Sequence, residues 1–571
     1  MPILPLAPRD LRRRSAIAAL ALASLTGAAL ASSADGVPGL DDPRLLLPAV
    51  HRTAPSSRFG LRPAAVPEVR LDALRLDAIL AEDASAAAAL APKALRVGVW
   101  RAVSVGENDG EWFEVPGGRL WIADLTSPGA KGLRLHLRGT GLPAGSELAL
   151  YAAPEPLDAV LYRGGRRGAE RGRGLRVATW TPTVFGERTR IEYFAPTAAP
   201  PGLGFVIDGL QHLYRDPLAA DLSLPGEGTA GPCHNDVSCY PEWADVARAS
   251  ARIDFVVGHG TYYCSGQLLN DVRQDHTPYF LTANHCVHSA GAAASAELYW
   301  RYQTAVCNGE PPRLGEVPRS LGATLIAANR SSDYSLLMLE GTLPPGLYWD
   351  GWTASPVANG TLAACVHHPS GDYTRISFGA KNGFAGCPSS SFVHIDWYDG
   401  PTEPGSSGSG IFTQDGHQLF GTLYDGPSAC GRETWDCYGA FAASYKHLRR
   451  YLHAGSDDAS EPNDSCAQAR AVRAGTLRHR IARWNDPDWY RVTVAPGETL
   501  TVRIGFASAN GQLGLELRGA CDTAPIASST DGVDGTRIAV TNRGGAPVVY
   551  SWRVFLVDDV RNEYDLTVAV D

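Results

Sequence analysis

No cysteine occurs before Cys233, although the chain of 571 residues contains 11 of them. A chain longer than about 300 residues exceeds a single hydrophobic core, so several domains are expected. In an exported protein, cysteines confined to one part predict a disulfide framework in that part, and an odd number leaves at least one thiol unpaired. The part before Cys233 is therefore a chemically different module.

A surplus of positive charge is also missing, because 51 Lys and Arg stand against 60 Asp and Glu and give a net charge of −9. Binding to nucleic acid or to anionic membranes needs clustered Lys and Arg. The Arg/Gly-rich segment 163–173 has no interleaved aromatic residues and is interpreted as a solvated loop rather than an RNA-binding tract. No nucleic-acid partner is predicted.

Beyond the N-terminus, no apolar run reaches the roughly 20 residues that cross a bilayer. The N-terminus has arginines at 12–14, an Ala/Leu-rich stretch over 16–30 and small residues at 29 and 31. This pattern predicts a secretory signal cleaved after Ala31, and the arginines leave a twin-arginine export route open. The expectation is a secreted protein without a membrane span.

Metal-binding motifs are scarce, since the zinc-peptidase pattern His-Glu-x-x-His is absent. His367 and His368 are adjacent, and neighbouring residues of a strand point to opposite faces, so they converge poorly on one ion. No cysteine or carboxylate spacing completes a ligand set around them. No metal and no other cofactor is predicted.

Glycine and proline, by contrast, are abundant, with 61 and 40 residues, which predicts many turns and short strands and hence an all-β chain. Composition divides the chain into a signal (1–31), a cysteine-free zone (32–230), a cysteine-rich zone (231–455) and a tail (456–571). Alternating apolar runs at 132–137 and 147–151, and again at 489–494 and 500–504, predict one β-sandwich in the second zone and another in the tail. The Ala/Leu-rich stretch 71–91 is expected to be helical.

Three motifs of the third zone carry the residues that acyl transfer requires: a nucleophilic hydroxyl, a base and an acid that orients the base. Segment 279–286, Tyr-Phe-Leu-Thr-Ala-Asn-His-Cys, places His285 at the end of an apolar strand. Segment 331–337, Ser-Ser-Asp-Tyr-Ser-Leu-Leu, places Asp333 at the start of another. Segment 403–410, Glu-Pro-Gly-Ser-Ser-Gly-Ser-Gly, is a glycine-bracketed turn around Ser407.

These segments resemble those of the trypsin-like serine peptidases, and among them the bacterial lysyl endopeptidases, over most of the third zone. The order His, Asp, Ser agrees with that fold. The resemblance implies two six-stranded β-barrels with an active site between them. Ser407 would be the nucleophile, His285 the general acid and base, and Asp333 the group that fixes its tautomer. The amides of Gly405 and Ser407 would form the oxyanion hole, and Ser406 is the alternative nucleophile.

The resemblance also implies cleavage of protein substrates after a basic residue. The specificity acid of lysyl endopeptidases maps onto Asp436 in the segment Trp-Asp-Cys-Tyr-Gly at 435–439. Two positions depart from the family: Tyr424 stands in place of a histidine beside the pocket, and Asp425 in place of a wall glycine. Phe384 is expected near the position of a family tryptophan. Lysine is the expected preference, and Asp425 leaves arginine open.

The resemblance also implies disulfide pairs, because each of the cysteines concerned lies in a segment that matches the family. The pairs it implies in the third zone are Cys233–Cys430, Cys239–Cys307 and Cys264–Cys286. The two cysteines of the tail, Cys466 and Cys521, are expected to pair with each other. Cys387–Cys437 is favoured among the remaining three, which leaves Cys365 as a buried free thiol.

The two flanking zones carry no catalytic motif. The second zone resembles the propeptides of the same peptidases, with an expected role in folding and latency and a cleavage between about 225 and 232. Many relatives have an acid before the nucleophile that receives the new N-terminal ammonium, and Ser406 lacks that charge. The tail resembles pre-peptidase C-terminal domains, and its acidic turns are interpreted as solvated rather than calcium-binding.

Two other functions remain open at this point. A catalytically dead peptidase fold would serve as a secreted adhesion or carbohydrate-binding protein with the same β-domains. A secreted esterase would share the three candidate residues and cleave esters rather than long peptides. A peptidase implies protein or peptide substrates and a complex with its own propeptide.

Overall fold

The computed structural model describes residues 36–44, 53–62, 65–88, 95–139, 142–153, 160–163, 178–215, 230–452, 460–483, 487–508, 512–521, 523–530, 532–557 and 561–571. The expected signal peptide, most of the arginine-rich segment and the first half of the expected cleavage stretch lie outside these residues. No helix within the described ranges is long and apolar enough to cross a membrane.

The N-terminal part folds into two β-sheets packed face to face. Its elements are β1 (Gly36–Val37), β2 (Leu40–Asp41), α1 (Pro55–Arg58), β3 (Glu68–Arg70), α2 (Leu76–Ala88), β4 (Leu95–Val105), β5 (Glu111–Val115), β6 (Gly118–Thr126), β7 (Gly132–Gly139), β8 (Glu147–Ala152), β9 (Val160–Arg163), β10 (Ala178–Trp180), β11 (Val184–Phe185), β12 (Arg188–Pro196) and β13 (Phe205–Leu213). One sheet has the order β3-β6-β12-β8-β9, and the other contains β10-β7-β13-β4. Leucines of β7 and β8 are buried between them, at 135, 137, 148 and 150. The predicted sandwich is confirmed, and α2 lies within the stretch expected to be helical.

The central part contains two barrel-like sheets. Its elements are β14 (Asn235–Asp236), α3 (Ala244–Ala249), β15 (Ser250–Val257), β16 (Gly260–Leu268), β17 (Tyr279–Thr282), α4 (Ala290–Ala294), β18 (Glu297–Trp300), β19 (Arg319–Leu321), β20 (Ala323–Asn329), β21 (Tyr334–Leu339), β22 (Tyr348–Trp349), β23 (Trp352–Thr353), β24 (Leu362–His367), β25 (Arg375–Lys381), β26 (Phe392–Asp399), β27 (Gly410–Thr413), β28 (Leu419–Asp425), β29 (Trp435–Ala440) and α5 (Phe441–Leu452). The second barrel closes through β24-β25-β26-β29-β28-β27. The first joins β19-β18-β15-β16-β17-β21-β20, and β19 runs into β20 across Gly322.

The N-terminal sandwich is not a separate sheet system, a feature that the alternating pattern did not predict. Strand β4 pairs antiparallel with β16 of the first barrel, with Val99 opposite Gly260 and Leu95 opposite Tyr263. A single 12-stranded sheet therefore runs from the sandwich into the barrel. The edges of β4 and β16 satisfy each other's backbone groups, a pairing that side-chain alternation within one strand does not encode.

A short N-terminal segment also lies on the central part. We call residues 36–44 the strap. Its strand β1 pairs with β23, and β2 pairs with β22, in the connection between the two barrels. Val37 of the strap is 4% exposed and belongs to the same apolar core as Trp352. The N-terminal part thus contacts the central part through the β4–β16 edge and through the strap.

The tail forms the second predicted sandwich. Its strands are β30 (Arg470–Ala471), β31 (Gly475–Arg483), β32 (Asp488–Val494), β33 (Thr499–Phe506), β34 (Leu513–Arg518), β35 (Ala527–Ser529), β36 (Gly535–Thr541), β37 (Val548–Leu556) and β38 (Arg561–Val570). They form two sheets, β30-β32-β37-β34-β35 and β31-β38-β33-β36, each built from tail strands alone. Trp552, Leu515 and Val502 are fully buried in their shared core. The all-β double-barrel fold with two flanking sandwiches is confirmed.

Candidate active site

Two strands of the first barrel bring His285 and Asp333 together. His285 follows β17, and Asp333 immediately precedes β21. These strands are antiparallel neighbours with Thr282 opposite Ser335, so the end of one strand lies beside the start of the other. Residues 48 positions apart in the sequence therefore become neighbours at one rim of the barrel.

The carboxylate of Asp333 contacts His285 through both oxygens. One oxygen lies 2.7 Å from His285 Nδ1, and the other accepts the His285 backbone N–H at 2.9 Å. Asp333 is 3% exposed. Because the carboxylate accepts at Nδ1, the imidazole carries its hydrogen there, and Nε2 is left as an acceptor.

The serine turn between β26 and β27 approaches this histidine from the second barrel. Ser265 of β16 makes two hydrogen bonds to the turn. Its backbone N–H donates to the Ser407 carbonyl oxygen at 2.8 Å, and its hydroxyl donates to the Gly405 carbonyl oxygen at 2.9 Å. Gly405 has φ of +97°, and a Cβ there would lie 2.6 Å from the Tyr263 ring. Only glycine fits this position without strain.

The two candidate reacting atoms have no hydrogen-bond partner among the described residues. His285 Nε2 and Ser407 Oγ are both buried and have no hydrogen-bond partner within the described part of the chain. The two atoms therefore do not hydrogen-bond to each other in this structure, which is common in ligand-free sites. Ser406 differs, because its hydroxyl lies 2.7 Å from His367 Nδ1. An engaged hydroxyl favours Ser407 over Ser406 as the reactive group.

On β29, Asp436 is a fully buried acid surrounded by polar groups, and we call this site the pocket. The Trp397 indole N–H and the Thr402 hydroxyl donate to its Oδ2 at 2.7 and 2.6 Å. The Ser428 amide donates to Oδ1 at 3.4 Å. A Cβ at Gly426 would lie 2.1 Å from that same Oδ1, so the opposing wall must approach closely. These donors compensate the desolvation of a fully buried carboxylate.

Tyr424 lies between the pocket and the histidine. Its ring stands edge-on to His285 at 5.9 Å and packs on Phe392 at 5.1 Å. Burial, with the charges of Asp333 and Asp425 added, raises the pKa of Tyr424. Phe384, the aromatic residue named from the sequence, is 54% exposed instead. Phe392 is the ring in contact with Tyr424, and a strand position gave no signal that would single it out.

Five disulfides lie in the described residues: Cys233–Cys430, Cys239–Cys307, Cys264–Cys286, Cys387–Cys437 and Cys466–Cys521. Cys264–Cys286 connects β16 to the residue after His285. Cys387–Cys437 connects the loop that carries Phe384 to the residue after Asp436. Cys365 is a buried free thiol bonded to Ser409, and burial raises its pKa to about 12.

His367 and His368 do not converge on a common ligand. His367 is bonded to two serines, Ser406 and Ser377, whereas Nδ1 of His368 faces the backbone oxygen of Asp372. Burial lowers the pKa of His368 to about 3. Within the described ranges, the two His/Cys groupings with metal-like spacing contain cysteines 233 and 430, or 264 and 286, which are already disulfide-bonded.

A double β-barrel with a histidine, a buried aspartate and a glycine-bracketed serine meeting between the barrels is the arrangement of the trypsin-like serine endopeptidases. Comparison with known proteins agrees. The profile described as "Lysyl endopeptidase, C-terminal domain" matches residues 227–439, and "Lysyl endopeptidase N-terminal domain" matches residues 70–214. A lysyl endopeptidase of Pseudomonas aeruginosa is 30% identical over 466 residues, which cover 76% of this chain and 98% of that protein.

The chain belongs to the lysyl endopeptidase family and is a serine endopeptidase. Solved structures with partial similarity include the thermostable serine protease AL20 from an extremophilic microorganism, at 17% identity and a TM-score of 0.27 over 37% of this chain and 100% of that one. Protease Anisep from Arthrobacter nicotinovorans has 16% identity and a TM-score of 0.28 over 36% and 96% of the two chains.

The roles of several residues of the site could not be predicted from the sequence. Ser265 follows Cys264 on β16, and nothing in the sequence around it indicates that it bonds to the serine turn. Trp397 and Thr402 precede the turn and look like ordinary strand and loop residues. His367 was weighed as a metal ligand, and its serine partners are 10 and 39 positions away. Only the paired strands bring these groups together.

Proposed function

We propose that this chain is a secreted serine endopeptidase that cleaves after lysine through His285, Asp333 and Ser407. The observation that carries the proposal is the buried two-point contact of Asp333 with His285, together with a buried Ser407 hydroxyl that has no partner among the described residues. A carboxylate in this position keeps the imidazole in the tautomer that can accept a proton from serine.

The reaction would proceed through an acyl-enzyme. Ser407 Oγ forms a bond to the scissile carbonyl carbon while His285 Nε2 takes the hydroxyl proton. The carbonyl oxygen becomes negative and is stabilised by the amides of Gly405 and Ser407. The carbon–nitrogen bond then breaks as His285 returns the proton to the leaving amine. Water then attacks the acyl-enzyme while His285 takes its proton. The bond to Ser407 Oγ breaks, His285 returns the proton to the serine, and the acid is released.

The proposal of lysine specificity rests on Asp436, a fully buried carboxylate whose charge would pair with a long cationic side chain. Its Oδ1 accepts the long 3.4 Å bond from Ser428, so this oxygen is the better placed to receive an ammonium group. A single ion pair in a low-dielectric pocket discriminates strongly, because an uncharged side chain would leave the acid without its counter-ion. Asp425 adds charge at the rim, so arginine is the second candidate.

The N-terminal sandwich would act as a pro-region over residues 32–230. Its contacts with the central part include a buried ion pair between Arg134 and Glu297, 3.7 Å apart. Thr183 of the same sandwich donates its amide and hydroxyl to Glu297. Long-range strand pairing folds slowly, and a partner that pairs with β16 gives the first barrel a template. Five disulfides agree with an oxidising, extracellular compartment.

A fluorophosphonate probe tests the catalytic assignment. Wild-type protein is expected to be labelled at Ser407, and Ser407→Ala is expected to lose the label while retaining its circular dichroism spectrum. Folded, processed wild-type protein that takes no label would favour the dead adhesion protein instead.

Digestion of a denatured protein, with the new termini mapped by mass spectrometry, tests the substrate. Termini that follow lysine support the proposal, and hydrolysis of esters without peptide cleavage would identify an esterase.

Expression of residues 231–455 with and without residues 32–230 supplied in trans tests the pro-region. The yield of active enzyme is expected to rise when the pro-region is present. Full activity from the isolated central part would remove the folding role.

A further inference from the structure

A buried chain of hydrogen bonds begins at the residue before Ser407 and returns to the same loop. Ser406 Oγ lies 2.7 Å from His367 Nδ1, and His367 Nε2 lies 3.0 Å from Ser377 Oγ. Ser377 Oγ in turn lies 2.7 Å from the backbone oxygen of Pro401. Ser406, His367 and Ser377 are each 0% exposed, so water does not compete for these bonds.

For a neutral His367 imidazole, the direction of every bond in the chain can be assigned. The Pro401 carbonyl only accepts, so the Ser377 hydroxyl donates to it and must accept from His367 Nε2–H. With its hydrogen on Nε2, neutral His367 offers Nδ1 as an acceptor, and the Ser406 hydroxyl donates there. Ser406 Oγ also accepts from the Glu403 amide at 3.2 Å. The imidazole is therefore held as a single tautomer.

The two ends of this hydrogen-bond chain bond to the same loop at two points. Pro401 and Ser406 lie at the start and end of the segment that leads into the serine turn. His367 and Ser377 lie on the paired strands β24 and β25 of the second barrel. The imidazole thus connects the loop to a rigid sheet, immediately before Ser407.

We propose that His367 is a positioning residue that fixes the peptide planes of Gly405 and Ser407, so that their amides point at the developing oxyanion. This inference rests on the proposed function, because oxyanion stabilisation matters only if Ser407 is the nucleophile. A donor contributes fully only when it is held in place before the reaction. Here the His367 imidazole holds the loop through uncharged Ser406.

The test compares His367→Phe with His368→Phe, two adjacent, fully buried histidines that lose similar polar atoms. His367→Phe is expected to lower kcat on a lysyl peptide substrate by about 10- to 100-fold, with KM within about twofold. A peptide aldehyde, which forms a tetrahedral adduct with the serine, should bind more weakly by the same factor. Butylamine, which would occupy only the Asp436 pocket, should bind as to wild type.

His367→Asn keeps an acceptor near the position of Nδ1 and is expected to recover at least about threefold of the lost kcat. His368→Phe should lower the melting temperature without changing kcat more than about twofold. If His367→Phe does not fold, Ser377→Ala tests the chain from its other end, with a smaller loss of about three- to tenfold in kcat and in aldehyde affinity.

A loss that appears in KM, or an equal loss of aldehyde and butylamine binding, would overturn the positioning role. So would unchanged kcat in a folded His367→Phe or Ser377→Ala protein. Labelling by a fluorophosphonate distinguishes a failure of the positioning role from a failure of the proposed function. A labelled wild type with a His367→Phe variant labelled at the same rate contradicts the inference alone, and an unlabelled wild type contradicts the proposed function as well.

Discussion

In the cleft between the barrels, His285 Nε2 and Ser407 Oγ have no partner among the described residues, whereas in the pocket Asp436 accepts hydrogen bonds from Trp397, Thr402 and Ser428. A buried polar group without a partner costs about 1–3 kcal/mol, so the cleft keeps bonding capacity that a substrate can use. The pocket acid is already held in place before any ligand arrives. Under the proposed function, the cleft would serve the chemistry and the pocket would serve recognition.

The largest expected effect tests whether the cleft acts as one unit. Ser407→Ala and His285→Ala should each lower kcat by about 10⁶-fold, and the double variant should be little worse than either, because the groups act together. Steady-state assays on a lysyl peptide measure this. Losses that nearly add in the double variant would show that the two residues do not share a mechanism.

Asp333→Asn should lower kcat by about 10⁴-fold, since an amide would let the imidazole adopt the wrong tautomer. The fold should survive, because asparagine has the same shape, and circular dichroism checks this. Asp415→Asn, in the exposed turn between β27 and β28, is the matched control. A loss of only a few-fold in Asp333→Asn would point to another acid.

Asp436→Asn tests the role of the pocket independently of the cleft. It should lower kcat/KM for lysyl substrates by at least about 100-fold, equivalent to about 2.7 kcal/mol of transition-state binding. Labelling by a fluorophosphonate without a basic side chain should stay near the wild-type rate, because the cleft is unchanged. A wild-type preference for apolar or acidic residues would refute the pocket assignment and leave the cleft assignment standing.

The smallest effect is expected at Tyr424, whose ring contacts His285 and Phe392. Tyr424→Ala removes its contacts with His285 and Phe392, and an aromatic pair contributes about 0.5–1.5 kcal/mol, so kcat/KM should fall by roughly two- to tenfold. Tyr424→Phe keeps the ring and should remain within about twofold of wild type. Equal losses in both variants would mean that the hydroxyl, rather than the ring, has the role.

The candidate residues of the cleft could be read from the sequence because each lies at a recognisable local boundary. His285 ends an apolar strand, Asp333 starts one, and glycines bracket Ser407. The pocket was harder to read. Asp436 was reached through a resemblance, and the contact between Tyr424 and Phe392 was not predicted. A strand pattern records which face a side chain occupies, but not which ring lies opposite it.

By itself, the sequence determined the all-β class, the two sandwiches and the three segments of the cleft, because alternation and turn residues act over a few neighbouring positions. The tertiary structure alone decided that β4 continues the first barrel, that the strap lies between the barrels, and that His367 connects Ser406 to Ser377. These contacts join residues far apart in the chain. Strand edges and buried hydrogen bonds acquire their partners only when the sheets close, so no local pattern specifies them.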